Sequence, residues 1–322
     1  MNEYKVAIVV PIYNVEHFLM NCLRSIQKQT YTNWRCLCID DGSIDESSCI
    51  VQDFIRRDAR FSLFIQKNRG VALARQRGLD NVQGQWLAWI DPDDWVDECF
   101  LEHLLDGIDS TDMVWSDLIE EVDGGSLVRK QKCVEVPSIW ANNLIKKDGL
   151  WGGLVNKVFR LNLIRENELS FKLLSVCEDA CFLLQYLSVA HKIEYRPYAE
   201  YHYRIRKGSL CHSTLDTITR IKREISVQYT LESLALSFDV GEELRKRRQW
   251  IKFSWYDKVE VSDDLFEQIF PEIKDVDVLP IALFHKVLFR LACRRWRPLI
   301  RFVFLIGRKL KRGGWTRILI ER

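Results

Sequence analysis

The sequence predicts an α/β protein with a mostly parallel central sheet flanked by helices, followed by a C-terminal helical region. Two observations carry this. Short β-branched or aromatic runs (Lys5–Ile12, Trp34–Ile39, Phe61–Gln66 and Trp86–Ile90) alternate with segments of helical spacing as far as Trp95. The turns after three of those runs carry an aromatic or clustered carboxylates, at the strand ends where open α/β sheets bind their ligands.

Lys5–Ile12 is nearly continuous in β-branched residues, as a central parallel strand requires. Pro11 is read as its end, with Tyr13-Asn14 as the turn. Val15–Thr30 places Phe18, Leu19, Cys22, Leu23 and Ile26 at helical spacing. Trp34–Ile39 ends in Asp40-Asp41-Gly42-Ser43. Asp45–Arg57 reads as a helix with Asp45 as N-cap. After the strand Phe61–Gln66 come a loop, Lys67–Gly70, and a helix, Val71–Asn81, that carries Arg75. Trp86–Ile90 is too short for a helix, and Pro92 stops it, leaving Asp91, Asp93 and Asp94 together. Such a cluster repels itself without a cation. Hard oxygen donors suit Mg²⁺ or Mn²⁺, which in turn hold phosphates.

Further along, Asp112–Asp117 reads as a strand and Glu120–Ser126 as a hairpin-like turn around Gly124-Gly125. Pro137–Trp151 is aromatic and polar with little regular period and is expected to form an irregular wall. Glu178 and Asp179 precede the apolar helix Cys181–Ala190, so Asp179 falls in its first turn. There the helix dipole is expected to lower its pKa and keep it ionised, and simple capping is the alternative role. Leu215–Phe238 and Leu244–Tyr256 are helical in period.

With 322 residues, 47% hydrophobic and 29% charged, the chain can bury a substantial core and is not of disordered composition. Its net charge of +2 hides an asymmetry: Phe284–Arg322 holds twelve Lys/Arg and one acid, Glu321. That stretch interleaves Phe, Trp, Leu and Ile with basic residues, broken near Pro298 and at Gly313-Gly314. It reads as amphipathic basic helix lying in a membrane interface, or as a helix packed on the acidic body; nucleic acid is set aside. None of the ten cysteines forms a Cys-X-X-Cys pair, which argues against zinc and for reduced thiols in the cytosol. Cys36 and Cys38 are expected on opposite strand faces. Val6–Val10 is too brief for a signal peptide, and no run reaches transmembrane length.

Neither a Gly-X-Gly-X-X-Gly fingerprint nor a P-loop follows the first strand. The aromatic Tyr13, the pair Asp40-Asp41 and the triplet Asp91, Asp93, Asp94 instead suggest a nucleotide site built from strand ends.

Val9-Val10-Pro11-Ile12-Tyr13-Asn14, Gln29-Thr30-Tyr31, Asp40-Asp41-Gly42-Ser43, Ala74-Arg75 and Asp91-Pro92-Asp93-Asp94-Trp95 follow one another in an order and spacing that resemble the family 2 glycosyltransferases of the Rossmann-like GT-A fold. Asn156-Lys157-Val158-Phe159-Arg160, Glu178-Asp179-Ala180-Cys181-Phe182 and Tyr201-His202-Tyr203-Arg204-Ile205-Arg206 extend the resemblance, so that it covers residues 5–213.

The resemblance implies inverting transfer of a sugar from a nucleotide-sugar, a UDP-hexose or UDP-N-acetylhexosamine, with Mn²⁺ or Mg²⁺. Pro11 and Tyr13 would frame the base, Asp41 would accept its N–H, and Asp40, Asn68 and Arg75 would lie at the nucleotide. Asp93 would be the principal metal ligand, with Asp91 on the ribose side or on the metal through water. Asp179 would be the general base, and His202, Arg204 and Ser209 would meet the diphosphate. Arg69 and Gln76 depart from the usual pattern near the donor. The implied organisation is a donor half at 1–115, an acceptor and base half at 116–213, and a helical region at 214–322. The implied acceptor is a glycan, on a lipid carrier or in lipopolysaccharide, met at the inner face of the cytoplasmic membrane. Two other classes compete: a phosphotransferase of the haloacid dehalogenase type, where Asp-X-Asp follows the first strand, and a non-catalytic nucleotide-binding module that anchors a complex to the membrane.

Overall fold

Seven consecutive buried residues, Val6–Ile12, form β1. It pairs in parallel with β2 (Trp34–Asp40) on one side and β4 (Trp86–Trp89) on the other, and β3 (Phe61–Ile65) extends the sheet beyond β2. Three helices make the crossovers: α1 (Glu16–Gln27), α2 (Ser47–Arg57) and α3 (Val71–Asn81). The computed structural model describes residues 5–108, 110–122, 125–131, 133–146, 152–174, 177–205, 217–234 and 238. The chain divides into two compact units, 1–213 with 234–239, and 214–233 with 240–322.

Beyond β4 the sheet becomes mixed. The later elements of the first unit are β5 (Trp95–Val96), α4 (Phe100–Leu105), β6 (Met113–Val122), β7 (Gly125–Arg129), α5 (Pro137–Lys146), β8 (Lys157–Arg160), α6 (Leu161–Glu166), α7 (Glu178–Val189) and β9 (Ile193–Arg204). Spatial order is β3-β2-β1-β4-β8-β6-β9-β5, with β7 hairpinned onto β6. β8 runs antiparallel to both β4 and β6, β9 runs parallel to β6, and β5 lies antiparallel on β9. The expected α/β fold with its mostly parallel first half is therefore present. One sheet runs through both implied halves, since β6 crosses position 115. Of the second unit, the described residues form α8 (Thr217–Leu234).

Several local expectations are corrected. Pro11 does not end β1, which continues to Ile12. Its missing N–H faces the β4 side, where β4 has already stopped at Trp89, so no ladder bond is lost. Asp45 precedes the helix cap, and its carboxylate accepts from Ser47 N–H at 3.0 Å and from Glu16 N–H at 3.0 Å, serving the starts of α2 and α1 together. Glu120–Val122 belongs to β6 and Gly125-Ser126 to β7, so both ends of the expected turn are strand. Pro137–Lys146 is a helix with Trp140 and Ala141 buried. Proline at a first helical position was the overlooked signal. Cys36 and Cys38 share a face, their sulfurs 4.0 Å apart, because residues two apart on a strand point the same way. The tail 284–322 and the stretch Leu244–Tyr256 lie outside the described residues.

Candidate active site

The strand ends bring the residues expected at the donor to one rim. Ile12 pairs with Asp40, and Trp89 pairs with Val9, so the chain after β4 emerges beside the end of β1. Pro11 is buried within β1 and Tyr13 is 48% exposed just beyond it. Asp40 is buried, accepting from Ser43 N–H at 2.8 Å and from the Ser48 hydroxyl. Asp41 is buried as well. Its carboxylate accepts from Gln66 Nε2 at 2.7 Å, Arg69 N–H at 2.9 Å and Gly70 N–H at 2.7 Å, so it fixes the 66–70 loop on which Asn68 lies exposed. Gly42, at φ +76°, is where that loop touches the end of β2: a Cβ there would come 2.9 Å from Asn68 N.

The acidic turn after β4 is shaped from the far edge of the sheet. Tyr201 donates its hydroxyl to Asp94 Oδ2 at 2.7 Å, Arg204 N–H donates to Asp94 Oδ1 at 2.8 Å, and Asp91 N–H donates to the Tyr201 oxygen at 3.1 Å. Burial, with Asp91 and Asp93 close by, pushes the Asp94 carboxyl well above its ordinary pKa. Arg204 Nε donates to the Asp93 carbonyl at 3.0 Å, and its guanidinium lies over Trp95 at 4.7 Å. His202 stacks on Trp95 at 4.8 Å, with Nδ1 2.7 Å from Glu121 Oε1 and Nε2 3.1 Å from Asp97 Oδ1. The pairing of β5 with β9 thus carries His202 and Arg204 to the acidic turn. Ser209 lies outside the described residues.

Arg75 joins this rim to α7. It projects from α3, is buried, and bonds Asp91 Oδ1 through Nη2 at 2.8 Å and Glu178 Oε1 through Nη1. Burial opposes its charge, but Asp91, Glu178 and Asp179 outweigh that and hold its pKa above the ordinary value. Asp179 follows Glu178 in the first turn of α7, half-buried, with Ala180 N–H donating to Oδ1 at 2.7 Å. Its pKa is raised, not lowered as its place in the helix suggested. Desolvation exceeds the opposing pull of Arg75, the Ala180 N–H and Lys157, and Asp91 adds to the rise. Burial likewise brings Glu178 up to about 7.

Among the described residues no three His, Cys, Asp or Glu side chains form a metal-binding group. Asp94 is turned toward Tyr201 and Arg204. The remaining carboxylates, Asp91 and Asp93, are hard oxygen donors at a rim. They fit an ion such as Mg²⁺ that takes one or two protein carboxylates and completes its shell with phosphates and water.

Sequence reasoning brought Asp91, Asp93, Arg75 and Asp179 to one region, and the structure joins Asp91 to the Asp179 helix through Arg75. It gave no task to Tyr201, Lys157 or Glu178 beyond capping. Tyr201 and Lys157 stood inside recognised blocks, but a role that depends on a partner more than 20 positions away leaves no local pattern. Among the described residues, no helix is long and apolar enough to cross a membrane.

A family model described as glycosyl transferase family 2 matches residues 7–167. EpsH of Bacillus subtilis, a glycosyltransferase by name, is 31% identical over 220 residues, covering 65% of this chain and 63% of EpsH. The glycosyltransferase GlyA of Streptococcus pneumoniae is 29% identical over 260 residues, covering 71% of this chain and 36% of GlyA. The chain thus matches less than two thirds of the length of either curated relative. The crystal structure of Staphylococcus aureus TarS residues 1–349 with UDP-GlcNAc superposes with a TM-score of 0.71 at 19% identity, covering 94% of this chain and 92% of that one, which is a likeness of fold.

Proposed function

This chain belongs to glycosyl transferase family 2, and on that premise we propose that it transfers a sugar from a UDP-hexose or UDP-N-acetylhexosamine, with inversion, to a hydroxyl of a glycan acceptor in cell-surface polysaccharide synthesis. The observation that carries the proposal is the Arg75 bridge. It links Asp91, at the rim where a nucleotide diphosphate would sit, to the helix turn that presents the one half-buried carboxylate suited to be a base, Asp179.

In the transfer, the acceptor oxygen forms its bond to the anomeric carbon as the carbon–oxygen bond to the diphosphate breaks. The hydroxyl proton goes to Asp179, and the electron pair of the broken bond leaves with the diphosphate. General-base help of this kind contributes on the order of 10²–10⁴ in rate. A raised pKa makes Asp179 a better proton acceptor, provided it is ionised at the working pH. Arg204, on β9 beside the acidic turn, offsets charge on the leaving group. Asp91 and Asp93 would hold Mn²⁺ or Mg²⁺, which supplies further charge stabilisation for the departing diphosphate. Tyr13 and Pro11 would frame the base. Asp41 would act there with its 66–70 loop, within which its carboxylate already accepts three bonds. His202 would stand second to Arg204, since two carboxylates hold its ring nitrogens, and Ser209 would complete the diphosphate contacts.

The basic stretch 284–322 supports a seat at the inner face of the cytoplasmic membrane, with an acceptor on a lipid carrier. Thermal melting with UDP-glucose, UDP-galactose, UDP-N-acetylglucosamine and GDP-mannose, each with and without Mn²⁺, tests the donor class. A Mn²⁺-dependent rise with a UDP-sugar supports the proposal, and no rise with any of them overturns it.

A further inference from the structure

Lys157, on β8, is fully buried. Its ammonium donates to Gly153 O at 2.8 Å, Asn156 Oδ1 at 2.8 Å and Val155 O at 3.4 Å, and lies 5.5 Å from the centre of the Trp140 ring. Burying an ammonium is costly unless an opposing charge answers it. The segment it clamps is also specialised. Asn156 sits at φ +57°, its side chain donating to Ser116 O, and a Cβ on Gly152 would lie 3.7 Å from Ala180 Cβ. The 152–157 turn therefore packs against the first turn of α7, next to Asp179.

The charges around Asp179 explain why a lysine is buried there. Arg75 approaches from α3, Asp91 from the end of β4, Glu178 from α7 itself and Lys157 from β8. Arg75 is engaged by Asp91 and Glu178, one bond to each. Lys157 is the second cation of this group, on the β8 side of Asp179.

We propose that Lys157 is a positioning residue for the transfer reaction: the buried counter-charge that keeps Asp179 ionised, and the clamp that holds its helix turn through Gly153 and Asn156. The inference rests on the transfer function proposed above and adds a residue to which that function gave no role. The electrostatics agree in direction. Burial lowers the Lys157 pKa to about 7 while Asp179 pulls it back up, and Lys157 in turn works against the rise at Asp179.

The test is a double-mutant cycle on Lys157→Met and Asp179→Asn. It reads UDP release from UDP-N-acetylglucosamine, UDP-glucose and UDP-galactose with Mn²⁺ and water as acceptor. Lys157→Met should lower kcat about tenfold with the donor KM within about twofold, and should add nothing in the Asp179→Asn background. Its acid limb should lie at higher pH than in wild type, because Lys157 works against the rise at Asp179. Losses that multiply in the double mutant, or a rise in KM at constant kcat, would make Lys157 a purely structural residue and overturn the inference. Lys157→Gln retains N–H donors without the charge and replaces Met if that variant does not fold. If Asp179→Asn alone releases UDP at the wild-type rate, the transfer function itself fails, and that is a separate result.

Discussion

Tyr201 and Asp94, 107 positions apart, are joined by a hydrogen bond of 2.7 Å in which the phenol donates to a buried carboxylate. The same oxygen accepts the Asp91 N–H, so a single side chain on β9 sets the conformation of the acidic turn after β4. The turn's local sequence supplies carboxylates, and Tyr201 determines where they point.

Replacing Tyr201 with Phe leaves Asp94 without this donor and Asp91 N–H without its acceptor. A buried group stripped of its partner costs about 1–3 kcal/mol. Urea unfolding should show a loss of that size with an unchanged slope, and UDP should bind more weakly as the turn relaxes.

Arg75→Met should be more damaging, because it strands Glu178 and Asp91 together. Removing one partner of a buried ion pair costs about 3–5 kcal/mol, while replacing both by apolar groups is often neutral. Arg75→Met with Glu178→Leu should therefore recover much of the unfolding free energy without recovering UDP release.

Chelation by EDTA should abolish the melting shift produced by UDP, and Asp93→Asn should reproduce that loss in the presence of Mn²⁺. A ligand at one hundred times its Kd stabilises the native state by about 2.7 kcal/mol, so the shift is large enough to read. A UDP shift that survives both treatments would remove Asp93 from the metal's ligands.

Lys157 also predicts how stability varies with pH. Its folded pKa of about 7 lies below the unfolded value, so between the two the unfolded chain holds a proton that the folded chain has shed. Unfolding free energy should rise with pH from about 7 to about 10, and Lys157→Met should flatten that slope, as followed by urea midpoints.

Gly78 seats α3 directly on β1, and a Cβ there would fall 2.4 Å from Val9 Cγ1. Gly78→Ala should cost about 1–3 kcal/mol in a core that cannot easily give way. Because α3 carries Arg75, the affinity for UDP should fall with the stability.

Much of this architecture was legible because it is written in short-range pattern. Val71–Asn81 was bounded correctly by its helical spacing after Gly70, and the first four strands were placed to within one residue by their apolar runs between turn residues. Pro137–Lys146 was missed because Trp140, Ala141 and Leu144 give a weak stripe among polar residues. The ionisation of Asp179 was misjudged because helix position is visible in a sequence, whereas the desolvation that outweighs it is not.

The chain's own order determined that carboxylates would stand at the ends of β2 and β4, that an arginine would ride on α3, and that an acidic pair would open α7. Tertiary structure alone decided their tasks. Asp41 serves its neighbouring loop, Asp94 answers Tyr201, and Arg75 reaches Glu178 across 103 positions of sequence while also holding Asp91. The physical reason is that a local motif records which groups are available. Their charges and hydrogen bonds are then settled by sheet register and burial, which bring together residues that share no local pattern.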